Sequence, residues 1–245
     1  MNAWPYPFWI AHPGAGKLAP ENTLAAFRLG ARHGYRMFEC DAKLSRDGVV
    51  FLMHDATLDR TTNATGIGGE RSWHDLSQLD AGGWHSRAFA GEPLPTLENL
   101  ARFCLANDGL LDIEIKPTPG TERETGAAVA REAARLWAGQ PVPPLLTSFQ
   151  PDALRAAREV APHLPRGLLL DKLHDGWLAA AQALDCAAVV CNYNLWDAER
   201  VAQVHAGGMR ALSYTVNDEW AAQWLAAMGT DGVVTDRVDL FSPSR

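Results

Sequence analysis

The chain has 245 residues, 47% of them hydrophobic, with 29 acidic and 22 basic side chains and a formal charge of −7. This length suits one large domain, such as an α/β barrel of about 250 residues, and the apolar share excludes a disordered chain. The acidic balance, with no basic stripe, excludes nucleic acid as a partner.

In chain order, the first strand is read at FWIAH (8–12), behind an opening, MNAWPYPFWIAHPG, that two prolines interrupt. That opening has no basic residue before its apolar stretch, unlike a secretory signal. A helix is expected over NTLAAFRLGARHG (22–34), with Glu21-Asn22 as its start signal and Gly34 as its stop. The second strand is RMFECDAKL (36–44). After it, Asp47-Gly48 marks a hairpin turn, so VVFLMH should fold back antiparallel on that strand. Residues 57 to 95 are rich in Gly, Ser, Thr and Asp and are too long for an ordinary loop. The region of about 45–96 is therefore read as a small insertion over one end of the domain.

Six more strands follow, at LLDIEIK (110–116), LLTSF (145–149), RGLLL (166–170), AAVVCNY (187–193), RALSYTV (210–216) and DGVVTD (231–236). Helical stretches such as 131–139, 151–161 and 219–229 lie between them. Eight βα repeats in one domain spanning 1–245 predict a (β/α)8 TIM barrel. A doubly wound open sheet is the alternative, but no Gly-rich phosphate turn of that fold follows the first strand. No apolar run reaches the roughly 18 residues of a membrane span. Cys40, Cys104, Cys186 and Cys191 form no C-x-x-C pair and are expected to be buried free thiols, which implies a cytoplasmic address.

Barrel strands should be apolar on both faces, and four polar clusters break that rule. His12 ends the first strand. Glu39 and Asp41 stand at i and i+2 of the second, on one face, with Cys40 on the other. His54-Asp55 ends the hairpin strand. Glu114 and Lys116 share a face of LLDIEIK. Each cluster alone has a bland reading: a solvated edge, a surface histidine, an ion pair. Together they gather at the C-terminal strand ends, which form the active-site face of a barrel. Buried charge is costly unless it is paired or metal-bound. Glu39, Asp41 and Glu114 would make an oxygen site for one divalent cation, Mg²⁺ or Ca²⁺, with Mn²⁺ also admitted. Lys116 offers a point charge for a phosphate oxygen, and His12 and His54 suit general acid and base roles.

These stretches resemble the glycerophosphodiester phosphodiesterase family, most closely its cytosolic bacterial members of the UgpQ type. The likeness runs through NAWPYP, AHPGAGKLAPENTLAAF, FECDAKLSRDGVVFLMHD, LDRTTN, GEPLPTL, LDIEIKP, LLTSF, YTVND and the TD at 235–236. It implies a TIM barrel with an insertion after the second strand, and Glu39, Asp41 and Glu114 as metal ligands. It further implies His12 and His54 as the acid/base pair, Lys116 as a phosphate contact, and a supporting role for Glu21 and Asn22. The implied reaction is hydrolysis of a small glycerophosphodiester to sn-glycerol 3-phosphate and an alcohol, without stable membrane anchoring. One position departs from the family: His-Arg-Gly is here His12-Pro13-Gly14. Proline carries no charge and no N–H, so an attenuated enzyme is expected, with Lys116 or Lys17 as partial substitutes. A non-catalytic glycerophosphodiester-binding protein and a phospholipase-D-like lyase forming a cyclic phosphate are the alternatives. Trp84, Phe89, Tyr193 and Tyr214 are candidate walls of a head-group pocket.

Overall fold

Residues 4–243 are described by the computed structural model, so the first two residues of the NAWPYP stretch lie outside it. The chain runs β1 (Trp9–Ala11), α1 (Leu24–Arg32), β2 (Met37–Leu44), β3 (Val50–Leu52), α2 (Trp73–Leu76), α3 (Leu97–Ala106), β4 (Leu110–Ile115) and α4 (Glu122–Leu136). It continues with β5 (Leu145–Ser148), α5 (Pro151–Val160), β6 (Arg166–Leu170), α6 (Trp177–Ala183), β7 (Ala188–Asn192), α7 (Ala198–Ala206), β8 (Arg210–Tyr214), α8 (Glu219–Ala227) and β9 (Gly232–Thr235).

Strands β1, β2 and β4 to β9 form a closed parallel ring: β9 pairs with β1, and β1 pairs with β2 through Ala11 beside Phe38. This is the expected (β/α)8 barrel. β3 lies outside the ring, antiparallel to β2, with Ala42 beside Leu52 and Leu44 beside Val50. It is the hairpin expected from Asp47-Gly48, where Gly48 supplies a φ of +86°.

The period of two along β2 sorts its side chains into two layers. Phe38, Cys40 and Ala42 face outward into the strand–helix core, with Ile113, Leu111 and Cys104. Met37 joins the apolar barrel interior, beside Ile10, Leu145, Val190 and Leu212. Above Met37 on that same face stand Glu39, Asp41 and Lys43. The lower barrel is therefore sealed with hydrocarbon, and its upper end carries charge. A third, smaller core of Phe51, Met53, Leu58, Leu76, Ala81 and Leu94 lies under the insertion. The insertion is thus a packed subdomain, although the four-residue α2 is its single α-helix, joined by 3-10 turns at Gly68–Glu70 and Arg87–Phe89. It is tied to the barrel where Glu92 Oε1 accepts from Ala25 N at 3.0 Å, and where His85 Nε2 meets the Lys17 carbonyl at 2.9 Å.

Two local expectations shift. α1 is capped by Thr23, whose hydroxyl accepts from Ala26 N, while Asn22 adopts a left-handed φ of +57° and serves the site instead. α4 begins at Glu122, nine residues before the expected 131. Gly126 weakens the helical signal there, but a Cβ on it would lie 2.2 Å from the Ala153 carbonyl oxygen. The close packing of α5 on α4 requires the glycine.

Candidate active site

Parallel pairing of β2 with β4 sets Glu39 beside Asp112 and Asp41 beside Glu114. Carboxylate oxygens of Glu39, Asp41 and Glu114 all come within 4.8 Å of one another, and all three residues are buried. Both oxygens of Glu39 and Oδ1 of Asp41 are buried without a hydrogen-bond partner among the described residues. Such oxygens are costly unless something compensates their charge. Lys116 does so in part, with its Nζ 2.9 Å from Glu114 Oε1 and 3.3 Å from Asp41 Oδ1. The remaining imbalance and the all-oxygen donor set fit a hard divalent cation.

The electrostatics agree with this. Burial, with the nearby charges of Asp41 and Glu114, pushes Glu39 well above the usual carboxylate range. Burial and the charge of Asp41 raise Glu114 as well. Burial also acts to raise Asp41, but the charges of Lys116, His54 and His12 and a hydrogen bond from Asn22 hold it below its ordinary value. Lys116 resists its own burial and is raised by Asp41 and Glu114, so it stays charged. Lys43 shifts the other way: burial lowers it to about 8, and its Nζ donates to the Lys116 carbonyl at 3.0 Å.

Asn22 makes Asp41 rigid from both sides. Its Nδ2 donates to Asp41 Oδ2 at 2.7 Å, and its Oδ1 accepts from Asp41 N at 2.9 Å. The left-handed backbone turns its amide toward β2, and Asn tolerates that conformation better than most residues.

Each histidine is held through Nδ1 by an aspartate. His12 follows β1 directly, and its N–H donates to the Thr235 carbonyl at 2.9 Å, which extends the β1–β9 ladder. Its Nδ1 lies 2.7 Å from Asp236 Oδ1, while Nε2 faces Glu39 at 3.7 Å. Burial acts to lower the His12 pKa, but the hydrogen bond and charge of Asp236 outweigh it and raise the value. Asp236 is gripped in turn by Asn217, whose Nδ2 donates to Asp236 Oδ2 and whose Oδ1 accepts from Asp236 N, both at 2.9 Å. Gly16 lets this loop close on Asp236: a Cβ there would lie 1.8 Å from the Asp236 carbonyl oxygen. His54 stands two residues beyond β3 rather than on it, with Nδ1 2.7 Å from Asp55 Oδ1.

His12, His54, Asp236, Glu21, Arg60, Pro13, Lys17, Trp84 and His85 line one cavity of about 380 Å³ beneath the insertion. Across Glu114 and Lys116 a second cavity, about 230 Å³, is bordered by Ser148, Phe149 and Gln150. Every sequence-derived site residue thus lies in or beside one constellation. Glu21 touches Arg60 rather than the carboxylate trio. Of the candidate aromatic walls, Trp84 lines the larger cavity, and Phe89 backs it through an edge contact with His85 at 5.4 Å. Tyr214 lies near the barrel interior with its hydroxyl on the Leu170 carbonyl, and Tyr193 packs on the strand–helix core. Sequence reasoning assigned no role to Asp236, Asn217, Arg60, Asp112 or Lys43. TD, YTVND and LDRTTN carried the first three, and the period of two applied to LLDIEIK and FECDAKL would have found the other two.

Comparison with known proteins accords with this geometry. The sequence model of the glycerophosphoryl diester phosphodiesterase family matches residues 12–240. YhdW of Bacillus subtilis is 34% identical over 239 residues, 95% of each chain. A glycerophosphodiester phosphodiesterase of Caldanaerobacter subterraneus subsp. tengcongensis is 32% identical over 232 residues, 93% of each chain. Among solved structures, an Oleispira antarctica phosphodiesterase in complex with the product sn-glycerol-3-phosphate superposes with a TM-score of 0.87 at 34% identity, covering 94% of this chain and 93% of that one. Because the family pattern begins at His12 and runs through both aspartate-held histidines and the carboxylate trio, the chain belongs to the glycerophosphoryl diester phosphodiesterase family.

Proposed function

We propose that the protein hydrolyses small glycerophosphodiesters, such as glycerophosphocholine or glycerophosphoethanolamine, to sn-glycerol 3-phosphate and an alcohol. The observation that carries this is the trio of buried carboxylates, Glu39 and Asp41 with unpartnered oxygens, set beside two histidines each oriented by an aspartate. Glu39, Asp41 and Glu114 would hold one divalent cation, Mg²⁺, Ca²⁺ or Mn²⁺, which would supply polarisation of a phosphoryl oxygen and neutralisation of its growing charge. Lys116 contacts the phosphate from the same side. His12 takes the proton of the attacking hydroxyl, from water or from the neighbouring glycerol hydroxyl; in the second case water then opens the cyclic phosphate to glycerol 3-phosphate. His54 protonates the departing alcohol, a poor leaving group that needs the acid. Each histidine presents Nε2 for this work because an aspartate occupies Nδ1. The two cavities flanking the carboxylates give room for the two arms of a diester.

Pro13 attenuates the reaction. It is buried in the wall of the larger cavity where the family carries an arginine. Arg60, in the same cavity, is committed to Glu21 and Asp55. Lys17 is exposed at the rim. Losing a charge-assisted contact of about 1.5–3 kcal/mol corresponds to roughly a 10–100-fold slower reaction. Four buried free cysteines support a cytoplasmic protein of the UgpQ type.

Release of glycerol 3-phosphate from glycerophosphocholine is the test. Release should stop with EDTA, return with Mg²⁺ or Mn²⁺, and rise in Pro13→Arg. No release from either form with metal present sinks the enzyme reading in favour of a binding protein. A cyclic phosphate as the final product in the phosphorus NMR spectrum, with no glycerol 3-phosphate formed from it, would assign the lyase course instead.

A further inference from the structure

His54 has the weaker backbone support of the two histidines. β3 ends at Leu52, and His54 follows in irregular chain. Its side chain is 43% exposed, against 25% for His12. An ionisable ring on an irregular, half-open segment keeps its aim only if something outside that segment fixes it.

The fixture is a chain of charged groups that begins in the PENT stretch after β1 and ends on His54. Asp55 Oδ1 accepts from His54 Nδ1 at 2.7 Å. Arg60 clamps Asp55 from the other side, with Nε donating to Oδ2 at 2.7 Å and Nη2 to Oδ1 at 3.0 Å. The same guanidinium sends Nη1 to Glu21 Oε2 at 2.7 Å and Nη2 to Glu21 Oε1 at 2.6 Å. One planar group therefore makes two forks, one to each carboxylate, a geometry a lysine cannot copy. The two Arg60 forks hold Asp55 below and Arg60 above their ordinary ranges, so both stay charged.

The network bridges two parts of the chain. Glu21 belongs to the loop between β1 and α1, next to Asn22, which grips Asp41. Arg60 and Asp55 belong to the insertion. Arg60 is 45% exposed, so these ion pairs add little to global stability. What they supply is direction: the loop that fixes Asp41 also fixes Asp55, and so the His54 ring is set relative to the carboxylate trio.

We infer that Arg60 and Glu21 are positioning residues for His54, aligning it for proton delivery to the leaving alcohol by locking the insertion to the β1–α1 loop. This rests on the reading of His54 as the acid, and the test separates the two. Turnover of glycerophosphocholine is compared with that of the p-nitrophenyl ester of glycerol 3-phosphate, whose leaving group needs no acid. Arg60→Ala should lower kcat on the choline ester about 10–100-fold, a fraction of the roughly 10²–10⁴-fold worth of a proton-transfer group, with little effect on the nitrophenyl ester. Mn²⁺ affinity and melting temperature should stay close to the parent. Arg60→Lys should fail to rescue, and Glu21→Gln should fall between Arg60→Ala and the parent. In a His54→Ala background, Arg60→Ala should cost nothing further.

An equal loss on both esters, a full rescue by lysine, or an undiminished loss in the His54→Ala background would overturn the inference. If His54→Ala itself slows both esters alike, the acid assignment fails first and takes the inference with it. If His54→Ala is selective for the choline ester and Arg60→Ala is not, only the inference fails.

Discussion

Substituting Asn22 tests the link between backbone conformation and the site. The residue is 2% exposed, has φ +57°, and makes two hydrogen bonds to Asp41. Replacing it with glycine keeps the backbone relaxed and removes only the side chain. The lost charge-assisted bond is worth about 1.5–3 kcal/mol, and the orphaned Asp41 N–H about 1–3 kcal/mol. Asn22→Gly should therefore lose about 3–5 kcal/mol. Asn22→Ala loses the same bonds and places a Cβ in the left-handed region, at about 1–2 kcal/mol more. At an ordinary helical or strand position glycine is the less stable of the two by about 0.5–1 kcal/mol, so the order here should be inverted. Urea unfolding in EDTA, followed by the fluorescence of the nine tryptophans, measures both variants. Metal affinity should drop in each, because Asp41 loses the group that aims it. An alanine variant as stable as the glycine variant, or more so, would refute the reasoning.

Two further outcomes follow from buried groups. Burial pushes the Asp112 carboxyl from 3.8 to about 7, against the hydrogen bond it receives from Thr147. The folded chain therefore keeps a proton that the unfolded chain releases, and the stability of the metal-free protein falls as pH rises from about 4 to about 7. The total loss is about 4 kcal/mol. Asp112→Asn retains an acceptor for the Thr147 hydroxyl, now at 2.8 Å, so its advantage should grow across that window; parallel pH curves would contradict this. Gly16→Ala drives a Cβ into the Asp236 carbonyl and should cost about 3 kcal/mol. Gly48→Ala, with nothing within 4 Å, should show only the left-handed penalty of about 1 kcal/mol in the same denaturation experiment.

Much of the site was legible because strand geometry is simple. A period of two puts Glu39 and Asp41 on one face whatever the rest of the chain does, and the same holds for Glu114 and Lys116. The hairpin at Asp47-Gly48 and the eight βα repeats are equally local signals, carried by turn chemistry and apolar patterning. Alternation also told that Cys40 faces the helices and not the site. The start of α4 was hidden, because Gly126 answers to the Ala153 carbonyl on a neighbouring helix and not to its own helix.

By itself the sequence determined the strands, the fold class and which side chains break the apolar rule. Only the tertiary structure decided which of those side chains meet. The pairing of Asp41 with Glu114 depends on the register of two parallel strands joined by an insertion and a helix. The grip of Asp236 on His12 closes a ring between residues 224 apart. Arg60 contacts both Glu21 and Asp55 only because the insertion packs over its own small core. Asn22 reads in sequence as a helix start, and its left-handed turn toward Asp41 exists only once β2 is in place. The physical reason is common to all four: periodicity and turn propensity act over a few residues, whereas charge pairing is set by distances that the closed barrel imposes.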